Sequence, residues 1–458
     1  MENQNFRVIL FTFLSFASLT LVSLFSESIA RFWPQVVNID ILSDIRSARA
    51  RTMPDSSASH LASGDSVAVA PSDTSNFHFA QYLQPGQIVN FRDRDPNPSL
   101  LGTMGKLAAL RRGEKVKLRI AWFGDSLIEG DLITQTLREL LQNDFGGRYG
   151  VGFVPFRSVT AGFRTSATAT SRGSWREVSF RDAKAGAPLF FSGHLFYSGG
   201  GDFELRDNTV KDSSQVVQKW LLCGRSTSPV QVAVNGRMQY IDAPGRFNRI
   251  LLDSSAGNRI RVRVPAGSLP LYGVSSEPEY GVVVDNFSFR GISGFELAKL
   301  DDELLDDISR SGQYDLVVIQ YGVNVMFRSR DTNYDYYFRG MSPVVRRLRE
   351  RMPDSEFLLV SCSDRAFRYG TEWKTAIGLD SLLQVQARIA YDNRITFFNL
   401  YQSMGGNGTI VRWAEDEPRL AAKDYIHASP RGASLLGRHL FDAFMKDYTK
   451  LTPEKPRR

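Results

Sequence analysis

Residues Ile120–Leu132 read IAWFGDSLIEGDL. The segment from Val116 to Phe123 is apolar except at Lys117 and Arg119, and it runs straight into Gly124-Asp125-Ser126. A helical pattern follows from Leu127 to Asn143, with Ile133, Leu137, Leu140 and Leu141 at helical spacing. In open α/β sheets, functional residues collect at the carboxyl ends of the strands. A serine at a strand end and helix start presents its hydroxyl at the sheet edge, and its backbone N–H can face a developing anion. Serine and aspartate are also favoured helix N-caps, and on this triplet alone capping is the simpler reading.

The flanking sequence predicts the rest of the sheet. Leu100 to Arg112 reads as a helix and Val116 to Phe123 as a strand. From Gly162 to Asp285 the texture is short alternating segments broken by glycine, proline and Asx residues, including PVQVAVNG, NRIRVRVPAG and GVVVDNFSF. That pattern predicts a β-sandwich or jelly roll. From Gly291 onward strands and helices alternate: YDLVVIQYG, MSPVVRRLRERM, EFLLVSC, GLDSLLQVQARIAY, RITFFNL and a closing helix from Gly432 to Tyr448. Such alternation predicts a parallel sheet covered on both faces. The expected organisation is an α/β domain in two parts, 80–161 and 286–450, with an all-β sandwich inserted at 162–285 and a tail at 451–458. The chain shows no internal repeat.

The N-terminus carries a different signal. Val8 to Phe25 is an uncharged, mostly apolar run of 18 residues. As a helix it spans about 27 Å, close to the thickness of a hydrocarbon core. Residues 1–30 are therefore expected to be a membrane anchor, with a cleaved signal ending at Ser28-Ile29-Ala30 as the competitor. Arg31, Arg46, Arg49 and Arg51 follow the run and only Arg7 precedes it; counted alone, these arginines would place the bulk of the chain in the cytoplasm. Residues 31–79, dense in Ser, Ala and Asp from Asp55 to Asn76, read as a flexible linker.

Composition excludes several classes. Two cysteines, Cys223 and Cys362, rule out a disulfide scaffold and a cysteine-rich zinc site. Cys362 lies in an apolar run and is expected to be a buried thiol. The net charge is +7, but no concentrated Lys/Arg patch is interleaved with aromatics, so no nucleic-acid partner is expected.

Four places carry residues that catalysis uses. Ser126 is the first; it does not lie in the G-x-S-x-G turn of α/β-hydrolases, because Ile128 stands at the second glycine. The second is FRGISG, ending at Gly294, where a backbone N–H could approach a substrate closely. The third is QYGVN, whose Asn324 amide could donate to an oxyanion, or simply close an Asx turn. The fourth is KDYIHAS. Of the five histidines, His427 alone has a carboxylate, Asp424, three residues before it in a loop. Such a loop can set the carboxylate against one imidazole nitrogen and leave the other free to take a proton from a serine.

This order of blocks resembles the SGNH, or GDSL-type, hydrolases: Ser126 in FGDSL, Gly294 in GISG, Asn324 in GVN, Asp424 and His427 in DYIH. The resemblance covers Leu100 to Tyr448 apart from the insertion. It is closest to bacterial peptidoglycan O-acetylesterases and the related O-acetyltransferases, some of which hold a sandwich resembling carbohydrate-binding modules between the serine and glycine blocks. YQSMGGNGTIVRW before KDYIH is also similar to that group. The resemblance implies a flavodoxin-like three-layer domain and a serine esterase that removes O-acetyl groups from an envelope glycan. It implies Ser126, Asp424 and His427 as triad, and Ser126, Gly294 and Asn324 as oxyanion donors. It implies no cofactor or metal, and leaves Asp125 to shape its loop. It sets the globular part outside the cytoplasm, on an inner-membrane anchor in the periplasm or exported if Ala30 is a cleavage site. Two alternatives stay open: an O-acetyltransferase working with a membrane O-acyltransferase partner, and a non-catalytic glycan-binding protein.

Overall fold

A strand that is apolar on both faces needs cover on both sides. The central sheet meets that need. The computed structural model describes residues 79–451 apart from 93, 94, 268 and 313. The expected anchor over Val8–Phe25, the Ala30 site, all but the last residue of the 31–79 linker and the tail past 451 lie outside the described residues. The sheet has six strands: β1 (Ile88–Val89), β2 (Lys117–Gly124), β3 (Gly281–Ser288), β4 (Leu316–Gln320), β5 (Glu356–Val360) and β6 (Thr396–Phe398). Their order is β1-β6-β5-β4-β2-β3, parallel throughout except that β1 runs antiparallel to β6.

Alternate residues of each strand enter different cores. Ala121, Phe123, Val317, Ile319, Phe357 and Leu359 join one apolar cluster. The helices α3 (Asp302–Gly312), α4 (Asp335–Arg351) and α5 (Leu379–Asp392) cover that face, through residues such as Leu305, Met341 and Leu382. Leu118, Ile120, Trp122, Val318, Leu358 and Val360 join the other. That face is covered by α1 (Leu101–Arg111), α2 (Thr134–Asp144), α6 (Leu400–Met404), α7 (Thr409–Glu415) and α8 (Pro430–Thr449). No helix among the described residues is long and apolar enough to cross a membrane. Cys223 and Cys362 are buried free thiols.

Between α2 and β3 the chain forms two antiparallel sheets. One has five strands in the order Arg237–Ile241, Val230–Val234, Arg259–Val264, Gly201–Asp207 and Ala167–Arg172. The other runs Asn248–Ala256, Val216–Cys223, Leu271–Pro278, His194–Ser198 and Trp175–Ser179, with Gly152–Pro155 added beside Leu271–Pro278. The inward residues of both, among them Phe203, Val232, Val262, Leu221 and Val274, share one core. In Arg259–Val264 arginines face out and Ile260, Val262 and Val264 face in, the period-two pattern of a half-buried strand.

Two features tie these sheets to the parallel one. Phe123 of β2 packs on Phe191 (centroids 4.9 Å apart) and Phe287 (5.5 Å), and Phe287 in turn meets Phe153 and Phe190. The buried carboxylate of Glu277 takes Lys117 at 3.1 Å and Arg119 at 2.6 Å from β2, and Arg249 from Asn248–Ala256, two strands away in its own sheet. Burial opposes its charge, but these cations outweigh the burial and hold Glu277 well below the usual carboxylate range.

Three expectations change. GVVVDNFSF reads as the last alternating segment of the insertion, but Gly281–Ser288 is β3, paired in parallel with β2 along eight positions. Its three successive valines are buried on both sides of the sheet, a pattern that periodicity cannot separate from a sandwich strand. The helix expected from Leu127 begins only at Thr134. Gly130, Asp131 and Ile133 hold φ of 70°, 69° and 64°, which a right-handed helix forbids. Buried Asp131 keeps that bend in place by pairing with Arg138 at 2.7 Å. Finally, a hairpin of Ala366–Tyr369 and Glu372–Thr375 has no counterpart in the expected βα rhythm.

Candidate active site

The site is built at the carboxyl ends of three adjacent strands. In register, Gly124 of β2 lies between Ser288 of β3 and Gln320 of β4, so the loops bearing Ser126, Gly294 and Asn324 leave the sheet at one level. Gly124 permits the crowding there. A Cβ on it would lie 2.8 Å from Ile128 Cδ1 and 3.1 Å from the Gln320 carbonyl oxygen.

Ser126 lies in the turn after β2, eight residues before α2, and so caps no helix. Its hydroxyl is 2.8 Å from His427 Nε2. His427 Nδ1 is 2.6 Å from Asp424 Oδ2. Asp424 Oδ1 accepts the backbone N–H groups of Ile426 and His427, both at 3.0 Å. Partial burial acts to raise the Asp424 carboxyl, but the His427 N–H, the imidazole and the Ile426 N–H prevail and hold it below its ordinary value. The loop that carries the pair is pinched shut by Ala422 N–H on the His427 carbonyl (2.8 Å) and Ser429 N–H on the Leu420 carbonyl (2.8 Å). Ser429 then caps α8.

Asn324 joins the remaining loops. Its amide nitrogen donates to Asp125 Oδ2 at 3.1 Å and to the Ile292 carbonyl at 2.9 Å, two residues before Gly294. Both amide hydrogens thus have acceptors within the protein, and the expected oxyanion donor is engaged in the free site. Gly294 has φ 98°, and a Cβ there would lie 2.9 Å from both Met341 Cε and Tyr321 Cδ2. Among the described residues, neither the Ser126 nor the Gly294 backbone N–H has an acceptor. All five residues singled out in the sequence therefore fall in loops at one end of the sheet.

Asp125 does more than shape a loop. It is fully buried, accepts Leu127 N–H at 3.0 Å through Oδ1 and Asn324 through Oδ2. Burial pushes its carboxyl up to about 7, against the pull of the Leu127 hydrogen bond, His427 and Asn324. Sequence reading also missed the hairpin of Ala366–Tyr369 and Glu372–Thr375. Trp373 stacks on Tyr425, beside Asp424, with centroids 4.1 Å apart, and Ala366 N–H donates to the Tyr425 carbonyl at 3.0 Å. The alternation around Tyr369-Gly370 in RAFRYGTEWK was the available signal. Among the described residues, no group of three or more His, Cys, Asp or Glu is placed to hold a metal ion. What the arrangement can do is nucleophilic acyl chemistry: a hydroxyl, a base on it, and a carboxylate orienting the base.

No protein-family model and no curated protein matches the chain by sequence. Among solved structures, a peptidoglycan O-acetylesterase superposes with a TM-score of 0.65 at 23% identity, over 78% of this chain and 98% of that one. A family two carbohydrate esterase from Cellvibrio japonicus aligns at a TM-score of 0.26 and 12% identity, over 62% of this chain and 100% of that one. An acetyl xylan esterase from Geobacillus stearothermophilus aligns at 0.25 and 18%, over 37% and 74%. The chain shares the fold of that peptidoglycan O-acetylesterase, and brings serine, glycine, asparagine and Asp-x-x-His to one end of its parallel sheet.

Proposed function

We propose that this chain is a serine esterase that removes O-acetyl groups from a cell-envelope glycan, peptidoglycan first. The observation that carries this reading is the continuous line from Asp424 through His427 to the Ser126 hydroxyl, at 2.6 and 2.8 Å. Ser126 Oγ attacks the acetyl carbonyl while His427 Nε2 takes its proton. Asp424 fixes the tautomer and stabilises the imidazolium. The backbone N–H groups of Ser126 and Gly294 meet the oxyanion, and Asn324 joins them by giving up its longer bond, the one to Asp125. His427 then protonates the departing sugar oxygen. Water, activated by the same imidazole, releases acetate from Ser126.

The glycan follows from the fold shared with the peptidoglycan O-acetylesterase and from the antiparallel sheets, which we read as a carbohydrate-binding module. The apolar run Val8–Phe25 would tether the esterase to the inner membrane with its site in the periplasm. That run also favours a second reading, O-acetyl transfer to a glycan beside a membrane O-acyltransferase, since a tether keeps donor and acceptor close. A purely glycan-binding role would leave the hydrogen-bonded triad without a purpose. The test is incubation of the full-length protein with O-acetylated peptidoglycan. Free acetate, lost in Ser126→Ala, is expected; acetyl transfer to an added acceptor sugar without acetate would favour the second reading. No release and no transfer would end both.

A further inference from the structure

A cavity of about 680 Å³ opens between the antiparallel strands and the loops that carry Ser126 and Gly294, with neither of those residues nor Asp424 or His427 in its lining. One wall comes from Glu129 and Gly130, just after Ser126, and from Ser288 to Arg290, just before Gly294. The other comes from residues 153–161 and from the pair of strands Trp175–Ser179 and His194–Ser198. Its volume is in the range of small-ligand sites, which cluster at such junctions.

The charges in its wall are unevenly satisfied. The carboxylates have partners: Glu129 pairs with Arg290 at 2.6 Å and Asp131 with Arg164 at 3.3 Å, while Glu177 is hydrogen-bonded to His194 at 2.7 Å and its carboxyl is held below its ordinary value, chiefly by that bond and in lesser part by the charge of Arg157. Two exposed guanidiniums, Arg157 and Arg181, line the same space and are neither hydrogen-bonded nor ion-paired among the described residues. The Ser192 hydroxyl, in a side chain only 3% exposed, also lines it and has no hydrogen-bond partner. Buried hydroxyls are rarely left unsatisfied, so one facing a polar cavity points to a ligand or its water. Guanidinium groups match carboxylates in a two-pronged geometry.

We infer that this cavity is a subsite for a carboxylate-bearing sugar of the glycan, held by Arg157 and Arg181 with Ser192 donating or accepting one further hydrogen bond. One wall comes from the loops that carry Ser126 and Gly294, so an acidic sugar held there would influence which acetylated unit of the same glycan reaches Ser126. The inference rests on the esterase reading only for the identity of the polymer.

The test measures binding apart from turnover. Ligand-observed NMR on full-length protein would compare N-acetylmuramic acid, with a lactyl carboxylate, glucuronic acid, with a ring carboxylate, and N-acetylglucosamine, with none. The acidic sugars are expected to bind more tightly, and Arg157→Gln combined with Arg181→Gln to weaken them about tenfold while sparing N-acetylglucosamine. Preference for one acid over the other assigns the source of the carboxylate. Equal binding of all three sugars, or no change in the arginine variant, overturns the inference. Both arginines are exposed, and a thermal melt checks that the variant is folded. A protein that binds acidic sugars in this way but releases no acetate would retain the subsite and lose the esterase reading.

Discussion

Asp125, the residue before Ser126, is hydrogen-bonded to Asn324 at 3.1 Å, while the carboxylate on His427 is Asp424, at 2.6 Å from the other side of the ring. In the proposed mechanism this puts Asp125 on the oxyanion side of the reaction. Asp125→Ala should lower kcat for p-nitrophenyl acetate by about 10- to 100-fold, approaching the loss of an oxyanion donor outright. KM should change little, because the acetyl group is not bound through Asp125. A variant with unchanged kcat would make the Asp125–Asn324 bond ornamental.

The same burial makes Asp125 a pH-dependent element of stability. Its carboxyl titrates at about 7 in the folded chain, against 3.8 unfolded. A raised acid favours folding fully below pH 3.8, and that advantage is lost as pH rises through about 7. Relative to Asp125→Asn, the wild type should lose roughly 4 kcal/mol over that window, at about 1.36 kcal/mol per pH unit. Urea unfolding at pH 5 and pH 8 samples the upper part of that window, where the expected difference is about 3 kcal/mol; parallel curves for the two proteins would contradict it.

Removing the Asp424 carboxylate should act on chemistry and spare the fold, because the side chain is nearly half exposed. Asp424→Asn is expected to reduce kcat on the order of 10²–10⁴-fold with a melting temperature close to wild type. Steady-state kinetics and a thermal melt on the same sample decide this.

Gly294→Ala tests the left-handed backbone. The new methyl would lie 2.9 Å from Met341 and Tyr321 at φ 98°. A cost of about 1–3 kcal/mol is expected from strain and overpacking. Met341→Ala in addition should restore neither the stability, because Met341 is itself fully buried, nor the esterase rate, because φ stays unfavourable and Tyr321 stays close. Full recovery of rate would show that space, and not backbone geometry, matters at this position.

Glu277→Gln should be strongly destabilising although it removes no more than a charge. One neutralised carboxylate leaves Lys117, Arg119 and Arg249 crowded without a counter-charge. The expected loss is about 3–5 kcal/mol in chemical denaturation, with kcat per folded molecule nearly unchanged.

Much of this was readable from residues in order. The strands ending at Gly124 and Gln320 and the helix closing the chain declare themselves by local hydrophobic period. Ser126, Asn324 and His427 stand out because polar residues follow directly on apolar strands, or because histidine is scarce. What stayed hidden depends on distant partners. Nothing near Glu277 announces Lys117, 160 residues away. Glu129-Gly130-Asp131 fits a helical spacing well enough; only the Arg138 and Arg164 pairings show why Asp131 bends the chain. Asp125 reads as a loop residue until Asn324 folds onto it.

The phenylalanine contacts between β2, β3 and the antiparallel region have a consequence for how the molecule comes apart. Phe123 lies three residues from Ser126 and is in contact with Phe191 and Phe287. Loosening the antiparallel sheets strips cover from the strand that aims Ser126, so neither part can melt while the other stays native. Residues 79–451 should therefore give a single calorimetric transition, and esterase activity should vanish with it, with no active intermediate on the way.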